Sequence, residues 1–216
     1  MIPSRMQETE VNRFDQLAAE WDANPTRVEL AGAVAAAILT HSRPERSARV
    51  LDYGAGTGLV SLQLSRHASE VVAVDSSREM LRGLEGKLAA AGISNVKTCA
   101  ADFEREPASL GMFDLVVSSM TLHHVRAPRP LLGRFQQILK PGGRLALADL
   151  DTEEGFFHGR PEDAFHPGFA RAELGQWLAE AGFGSISFHT AHRLTKKGSD
   201  DREREYTVFL AVAGRP

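Results

Sequence analysis

A chain of 216 residues has the size of one domain with a full core, and 43% hydrophobic with 25% charged residues is the composition of a soluble globular protein. A formal net charge of −3 with no evidently basic face gives no footing for nucleic acid, and no apolar run is long enough for a membrane span. The polar segment Met1 to Glu10 lacks the apolar core of a signal peptide, and the single cysteine, Cys99, excludes an internal disulfide and a cysteine-rich metal site, so a cytoplasmic setting is expected.

In chain order, Val11, Phe14, Leu17, Ala18 and Trp21 recur at helical spacing up to Asn24-Pro25. A second helix is expected from Thr26 to Thr40, carrying Val28, Ala31, Val34, Ala35, Ile38 and Leu39. Arg49 to Tyr53 reads as a strand, followed by a helix from Leu59 to His67. Val71 to Asp75 is a second strand, and Arg78 to Ala91 a helix stopped by Gly92. Val96 to Ala100 and Asp114 to Ser118 are strands three and four. Leu131, Leu132, Phe135, Ile138 and Leu139 mark a strong helix, Pro141-Gly142-Gly143 a turn, and Arg144 to Asp149 a fifth strand. After an insertion, Leu174, Trp177, Leu178 and Ala181 mark the last helix, ended by Gly182. Ser185 to Arg193 and Tyr206 to Ala213 close the chain as strands, with polar Lys196 to Glu205 as an exposed hairpin loop. Alternating strands and helices require a parallel sheet with right-handed crossovers, and two final strands without a helix between them pair antiparallel. The expected fold class is α/β: a doubly wound, Rossmann-like, seven-stranded, mostly parallel sheet with an antiparallel C-terminal strand.

The most informative stretch is Asp52-Tyr53-Gly54-Ala55-Gly56-Thr57-Gly58. A strand ends in an acid, three glycines alternate, and a helical pattern begins. Glycines let backbone approach a ligand and accept positive φ, and the free N–H groups of the following helix favour an anionic or carboxylate group. The third glycine of a G-x-G-x-x-G dinucleotide fingerprint is missing, since position 59 is Leu59 and position 61 is Ser61. Asp52 would repel a pyrophosphate and tolerate an ammonium group. Asp75, at the tip of the second strand, is placed to accept ribose hydroxyls, with a neighbouring serine capping the next helix. Asp102 follows the third strand, where it can accept from an adenine amino group while a nearby apolar side chain, Phe103, covers the ring. Ser118, Ser119 and the pair His123-His124 follow the fourth strand.

Together these segments, from about Val50 to Asp149, resemble the class I S-adenosylmethionine-dependent methyltransferases of small-molecule type. The resemblance implies S-adenosylmethionine as cofactor. It also implies a cofactor site drawn from Asp52, Tyr53, Gly54, Ala55, Gly56, Gly58, Asp75, Ser76, Met80, Asp102, Phe103, Ser118 and Ser119. Phe14 to Asp22 looks like the lead-in segment of many small-molecule members. One methyltransferase domain is expected over 1–216, with a helical cover at 1–42, a cofactor core at 49–150, a substrate-side insertion at 151–170 and a C-terminal helix with antiparallel strands at 171–216. The alternatives are a non-catalytic, cofactor-binding regulatory module and, with less support, a nicotinamide-dependent oxidoreductase.

The partner implied is a small-molecule methyl acceptor, with no nucleic acid and no membrane. Substrate-side candidates are Phe14, Trp21, Arg27, His158 and His166. In-line methyl transfer needs alignment and exclusion of water, and a hydroxyl acceptor gains from a base. His123 and His124 are the first candidates for that base, His158 and His166 the next; the alternative is that the pair only shapes the pocket. His123, His124, His158 and His166 could converge with Asp149 or Asp151, but no recognised ligand spacing stands here, so no metal is expected.

Overall fold

The computed structural model describes residues 13–103, 110–160 and 163–216. Val11, in the first predicted helix, lies outside the described residues. The strands are β1 (Arg49–Tyr53), β2 (Glu70–Asp75), β3 (Val96–Ala100), β4 (Phe113–Ser119), β5 (Leu139–Leu150), β6 (Gly184–Lys197) and β7 (Glu203–Gly214). They form one sheet in the order β3-β2-β1-β4-β5-β7-β6. The β1–β2, β1–β4, β2–β3 and β4–β5 pairs are parallel, and β7 runs antiparallel to both its neighbours.

The helices are α1 (Pro25–Ser42), α2 (Ser61–Leu64), α3 (Arg78–Ala91), α4 (Pro128–Ile138) and α5 (Arg171–Glu180). Their ends follow from local chemistry. Asn24 Oδ1 accepts from the Thr26 and Arg27 N–H groups, and Pro25 occupies the first helical turn of α1. The Ser77 hydroxyl accepts from Met80 N–H to start α3, and Gly92 at φ +65° ends it.

Alternate residues of each strand feed two cores. On one face Val50, Val71, Ala73, Leu115, Val117, Ala146 and Ala148 pack against Leu30, Val34 and Ile38 of α1. On the other face Leu51, Val72, Val74, Val116, Leu145 and Leu147 meet Leu131, Leu132 and Phe135 of α4 and Leu174 and Leu178 of α5. Burial on both faces is why these strands read as continuous apolar runs. Each fully buried Leu, Ile or Phe side chain contributes roughly 1.5–3 kcal/mol.

The structure departs from the sequence expectations in four places. The first helix is short: residues 13–17 are helical and Ala18–Ala23 tighten into a 3₁₀ turn. The helix expected from Leu59 to His67 keeps only Ser61–Leu64. Pro141-Gly142-Gly143 lies within β5 as a register shift between Phe113 and Leu115 of the partner strand. There Gly142 N–H donates to Arg215 O and Arg215 N–H to Gly143 O, so the C-terminus pairs with backbone that the turn would have left open. The polar hairpin loop shrinks to 198–202, because charged residues on an outer hairpin keep their backbones paired while their side chains reach solvent. Lys196 pairs with Arg204 in register, and Arg193 with Glu205 through a 2.9 Å ion pair. Cys99 is half-buried at the β3 edge. Among the described residues no helix is long and apolar enough to cross a membrane.

Candidate active site

β1, β2 and β4 all end at the sheet edge from which the first glycine loop emerges, and a cavity of about 540 Å³ opens there. Strand C-termini at a topological switch point, where β1 lies between β2 and β4, are where open α/β sheets bind ligands.

The three loop glycines all have positive φ, but they serve different ends. A Cβ on Gly54 would stand 2.1 Å from Thr121 Oγ1, and one on Gly58 2.3 Å from Leu84 Cδ1. These two glycines let the loop pack against its own protein. A Cβ on Gly56 would meet nothing within 4 Å, so Gly56 alone of the three keeps space clear for a ligand.

Asp75 ties this loop to the next. Its Oδ2 accepts from Gly56 N–H at 2.7 Å and its Oδ1 from Ser77 N–H at 2.8 Å. Burial raises its pKa, and these backbone donors pull it back down. Asp52 is 1% exposed and accepts from Ser61 Oγ at 2.5 Å. Burial, with the Asp75 charge beside it, pushes its pKa up to about 6 against the opposing Ser61 bond.

Of the sequence-predicted cofactor residues, Asp52, Tyr53, Gly54, Ala55, Gly56, Asp75, Ser76, Met80, Asp102 and Ser119 line the cavity. Gly58, Phe103 and Ser118 do not. Gly58 is packed under Leu84, and Ser118 is 2% exposed inside β4. Phe103 is 2% exposed and lies behind Tyr53, with ring centroids 5.1 Å apart.

Phe14, Trp21, Arg27 and His158 reach the cavity from the cover and the insertion. Phe14 packs edge-on to Trp21 at 5.8 Å and to His124 at 5.2 Å, and the Arg27 guanidinium lies 3.9 Å over the Trp21 ring. The cover is fastened by Asp15 accepting from Ser77 Oγ at 2.5 Å, Asp22 from Thr57 Oγ1 at 2.6 Å and from Lys87 Nζ at 2.5 Å, and an Arg13–Asp163 ion pair. His166 turns away: its Nε2 lies 3.0 Å from Val125 O and its ring packs by Phe169.

His123 and His124 form a 3₁₀ turn after β4, with Leu122 and Val125 buried beneath. His123 Nδ1 lies 2.6 Å from Asp149 Oδ1, both residues being buried, and the other Asp149 oxygen accepts His123 N–H at 3.2 Å. A carboxylate partner makes Nδ1 the donor and fixes the ring. Asp151 instead forms a bidentate pair with Arg171 at 2.7 Å. The insertion brings His158 to ring-centroid distances of 5.0 Å from His123 and 5.3 Å from His124. His158 Nε2 is buried without a hydrogen-bond partner among the described residues, a loss worth roughly 1–3 kcal/mol unless a ligand meets it. Burial, then the neighbouring His123, lowers the pKa of His124 well below the usual range and that of His158 to about 3. Such rings are neutral at pH 7 and poor proton acceptors.

Sequence reasoning did not single out Arg13, Thr57, Met120, Phe157 and Lys196, which also line the cavity. Met120 sits at φ +54°, strained backbone for a non-glycine residue at the cavity wall. Nothing in its local sequence signals that conformation.

Residues 44–197 match the family model described as a methyltransferase domain. A ubiquinone biosynthesis O-methyltransferase of Xanthomonas axonopodis is 30% identical over 209 residues, covering 83% of this chain and 82% of that protein. An uncharacterized methyltransferase of Schizosaccharomyces pombe is 31% identical over 135 residues, covering 56% of this chain and 48% of its own length. The chain spans about half the length of several curated relatives it matches. In structure it is similar to a SAM-dependent methyltransferase from Aquifex aeolicus, with a TM-score of 0.68 at 21% identity over 95% of this chain and 98% of that one, a likeness of fold. The sheet order, the glycine loop and the match over 44–197 together show that the chain belongs to the methyltransferase-domain family, on the class I Rossmann-like fold.

Proposed function

We propose that this chain, working over 1–216 as one domain, transfers the methyl group of S-adenosylmethionine to a small-molecule acceptor. The observation that carries the reading is the continuity of one cavity. Gly56, Asp75 and Asp102 line it together with the Phe14, Trp21, His124 and His158 face. A volume of about 540 Å³ falls in the range of roughly 300–1,000 Å³ that small-molecule sites occupy.

The residues present fit the cofactor. Gly56 leaves an open cradle, Asp75 offers a carboxylate for ribose hydroxyls, Asp102 one for the adenine amino group, and Asp52 a negative charge for an ammonium group. When bound, the cofactor supplies a methyl carbon already activated by a sulfonium. Gly56, Asp75 and Asp102 would hold the cofactor so that this carbon could be offered in line to an acceptor lone pair, the electron pair of the carbon–sulfur bond staying on sulfur. The chain's task is alignment and dryness. The fastened cover, with Phe14 and Trp21, closes the acceptor end. A hydroxyl acceptor is supported by the O-methyltransferase relative, which matches over most of both chains. A cytoplasmic setting goes with this reading, since the one cysteine, Cys99, is unbridged.

Calorimetric titration with S-adenosylmethionine and S-adenosylhomocysteine tests the cofactor half. A ligand at 100 times its dissociation constant should stabilise the chain by about 2.7 kcal/mol. Mass spectrometry of a phenol and enol panel incubated with enzyme and cofactor tests the acceptor half. Absence of both heat and thermal stabilisation would overturn the proposal.

A further inference from the structure

We infer that His123, His124 and His158 form a binding site for a divalent first-row transition-metal ion of the zinc type, open toward the acceptor end of the cavity. One ligand atom from each ring lies within 4.8 Å of the others. Nitrogen ligands at 2.0–2.1 Å from a tetrahedral ion stand about 3.4 Å apart, so small side-chain rotations close the set. Imidazole nitrogens suit zinc, copper, nickel and iron, whereas magnesium and calcium take oxygen.

Three further observations point the same way. His158 Nε2 is buried with no hydrogen-bond partner among the described residues, an atom that a cation would satisfy. Asp149 Oδ1 at 2.6 Å from His123 Nδ1 makes the carboxylate–histidine arrangement that orients metal-binding rings and leaves Nε2 as the binding atom. His124 is bonded in turn to the Asp163 backbone. Two cations lie near the site, Arg13, paired with Asp163 at 3.0 Å, and Lys196 on the cavity wall, while the Asp149 carboxyl stands behind His123.

Three histidine ligands leave at least one coordination position, as in catalytic rather than structural zinc sites. All three histidines line the cavity, as do Phe14 and Phe157, so an ion held by them would be reached from it. Resting on the methyltransferase reading above, this narrows the acceptor to a molecule with a hydroxyl or enol oxygen that would bind the ion as its anion, its proton released to solvent on binding, and be held there for the incoming methyl group.

The experiment is a titration of the full chain, stripped with chelator, with Co²⁺ as the probe, followed by visible absorption and calorimetry. One equivalent per chain with the spectrum of nitrogen-coordinated cobalt is expected, displaced by Zn²⁺. His158→Ala should weaken binding at least tenfold and leave S-adenosylhomocysteine affinity unchanged. Asp149→Asn should weaken it roughly 10–100-fold. Because Asp149 is buried and its variant is at risk of misfolding, His158→Ala, on a half-buried loop, decides the matter if circular dichroism shows Asp149→Asn unfolded. His189→Ala removes the His41–His189 stack, whose centroids are 3.6 Å apart and which does not line the cavity, and should leave cobalt binding intact. No stoichiometric binding, or binding undiminished in His158→Ala whatever His189→Ala does, overturns the site. Cobalt binding without S-adenosylhomocysteine binding would leave the metal standing and sink the methyltransferase reading; the reverse would sink only the metal.

Discussion

Asp22 in the N-terminal cover accepts the hydroxyl of Thr57 in the glycine loop at 2.6 Å, so the lid over the cavity is bonded to the loop that forms its floor. The other Asp22 oxygen holds Lys87 of α3 at 2.5 Å. One carboxylate therefore joins three elements that the chain order keeps far apart.

This junction predicts that Asp22→Ala loosens the cover. A hydrogen bond to a charged group is worth about 1.5–3 kcal/mol, so cofactor affinity should fall roughly tenfold or more. In a Trp177→Phe background the emission of Trp21 should shift to that of a solvated indole and respond to cofactor more than in the parent. Unchanged emission and affinity would show that the remaining contacts, Asp15 with Ser77, Arg13 with Asp163 and Arg27 over Trp21, hold the cover without Asp22.

Asp75 holds the Gly56 and Ser77 N–H groups and is proposed to bind the cofactor ribose, and substitutions should separate the two. Asp75→Ala frees the Gly56 and Ser77 N–H groups and also removes the charge offered to ribose. Asp75→Asn keeps one carbonyl oxygen for the loop. Cofactor affinity should fall in both, by roughly 10-fold or more per charged bond lost, while the melting temperature should fall mainly in Asp75→Ala. Calorimetry showing an unchanged dissociation constant in both variants would take Asp75 out of the site.

The glycines should also divide. Gly54→Ala drives a Cβ into Thr121 and should destabilise the fold by about 2 kcal/mol or more. Gly56→Ala meets no neighbour and carries only the left-handed backbone cost of about 1–2 kcal/mol. Its main effect should be on cofactor binding, weakened roughly tenfold. Paired denaturant and binding curves check this; equal losses of stability in both variants would contradict the open cradle at Gly56.

The Asp52 pKa gives a pH prediction. Its folded value, about 6, lies above the ordinary 3.8, so the native state holds a proton that the unfolded chain has released. Stability from this group is full below pH 4 and is lost as pH rises through about 6, a change on the order of 3 kcal/mol. Asp52→Asn should therefore gain on the parent progressively between pH 4 and pH 7 in urea unfolding. A difference that does not vary with pH would mean that Asp52 titrates normally.

The chain's local patterns determined the sheet and the place of the site. Val50-Leu51, Val71 to Val74 and Leu115 to Val117 read as strands because both faces of a parallel sheet are buried. The glycine loop and the acids at Asp52, Asp75 and Asp102 were legible because strand ends, turn residues and caps are properties of a few neighbouring residues. Only the tertiary structure decided which side chains share one space. His158 comes from the insertion and His123-His124 from the turn after β4, and no periodicity links them; their meeting depends on where β4 and β5 end side by side. The same holds for the choice of Asp149 over Asp151 as the His123 partner: strand alternation alone would put the two on one face, but β5 ends at Leu150 and Asp151 lies beyond it, bridged to Phe169 and paired with Arg171. His166 fell on the other side of that turn, and of three glycines at identical spacing only Gly56 faced open space. Spacing along the chain sets local backbone conformation, whereas the direction each side chain faces is set by the elements packed around it.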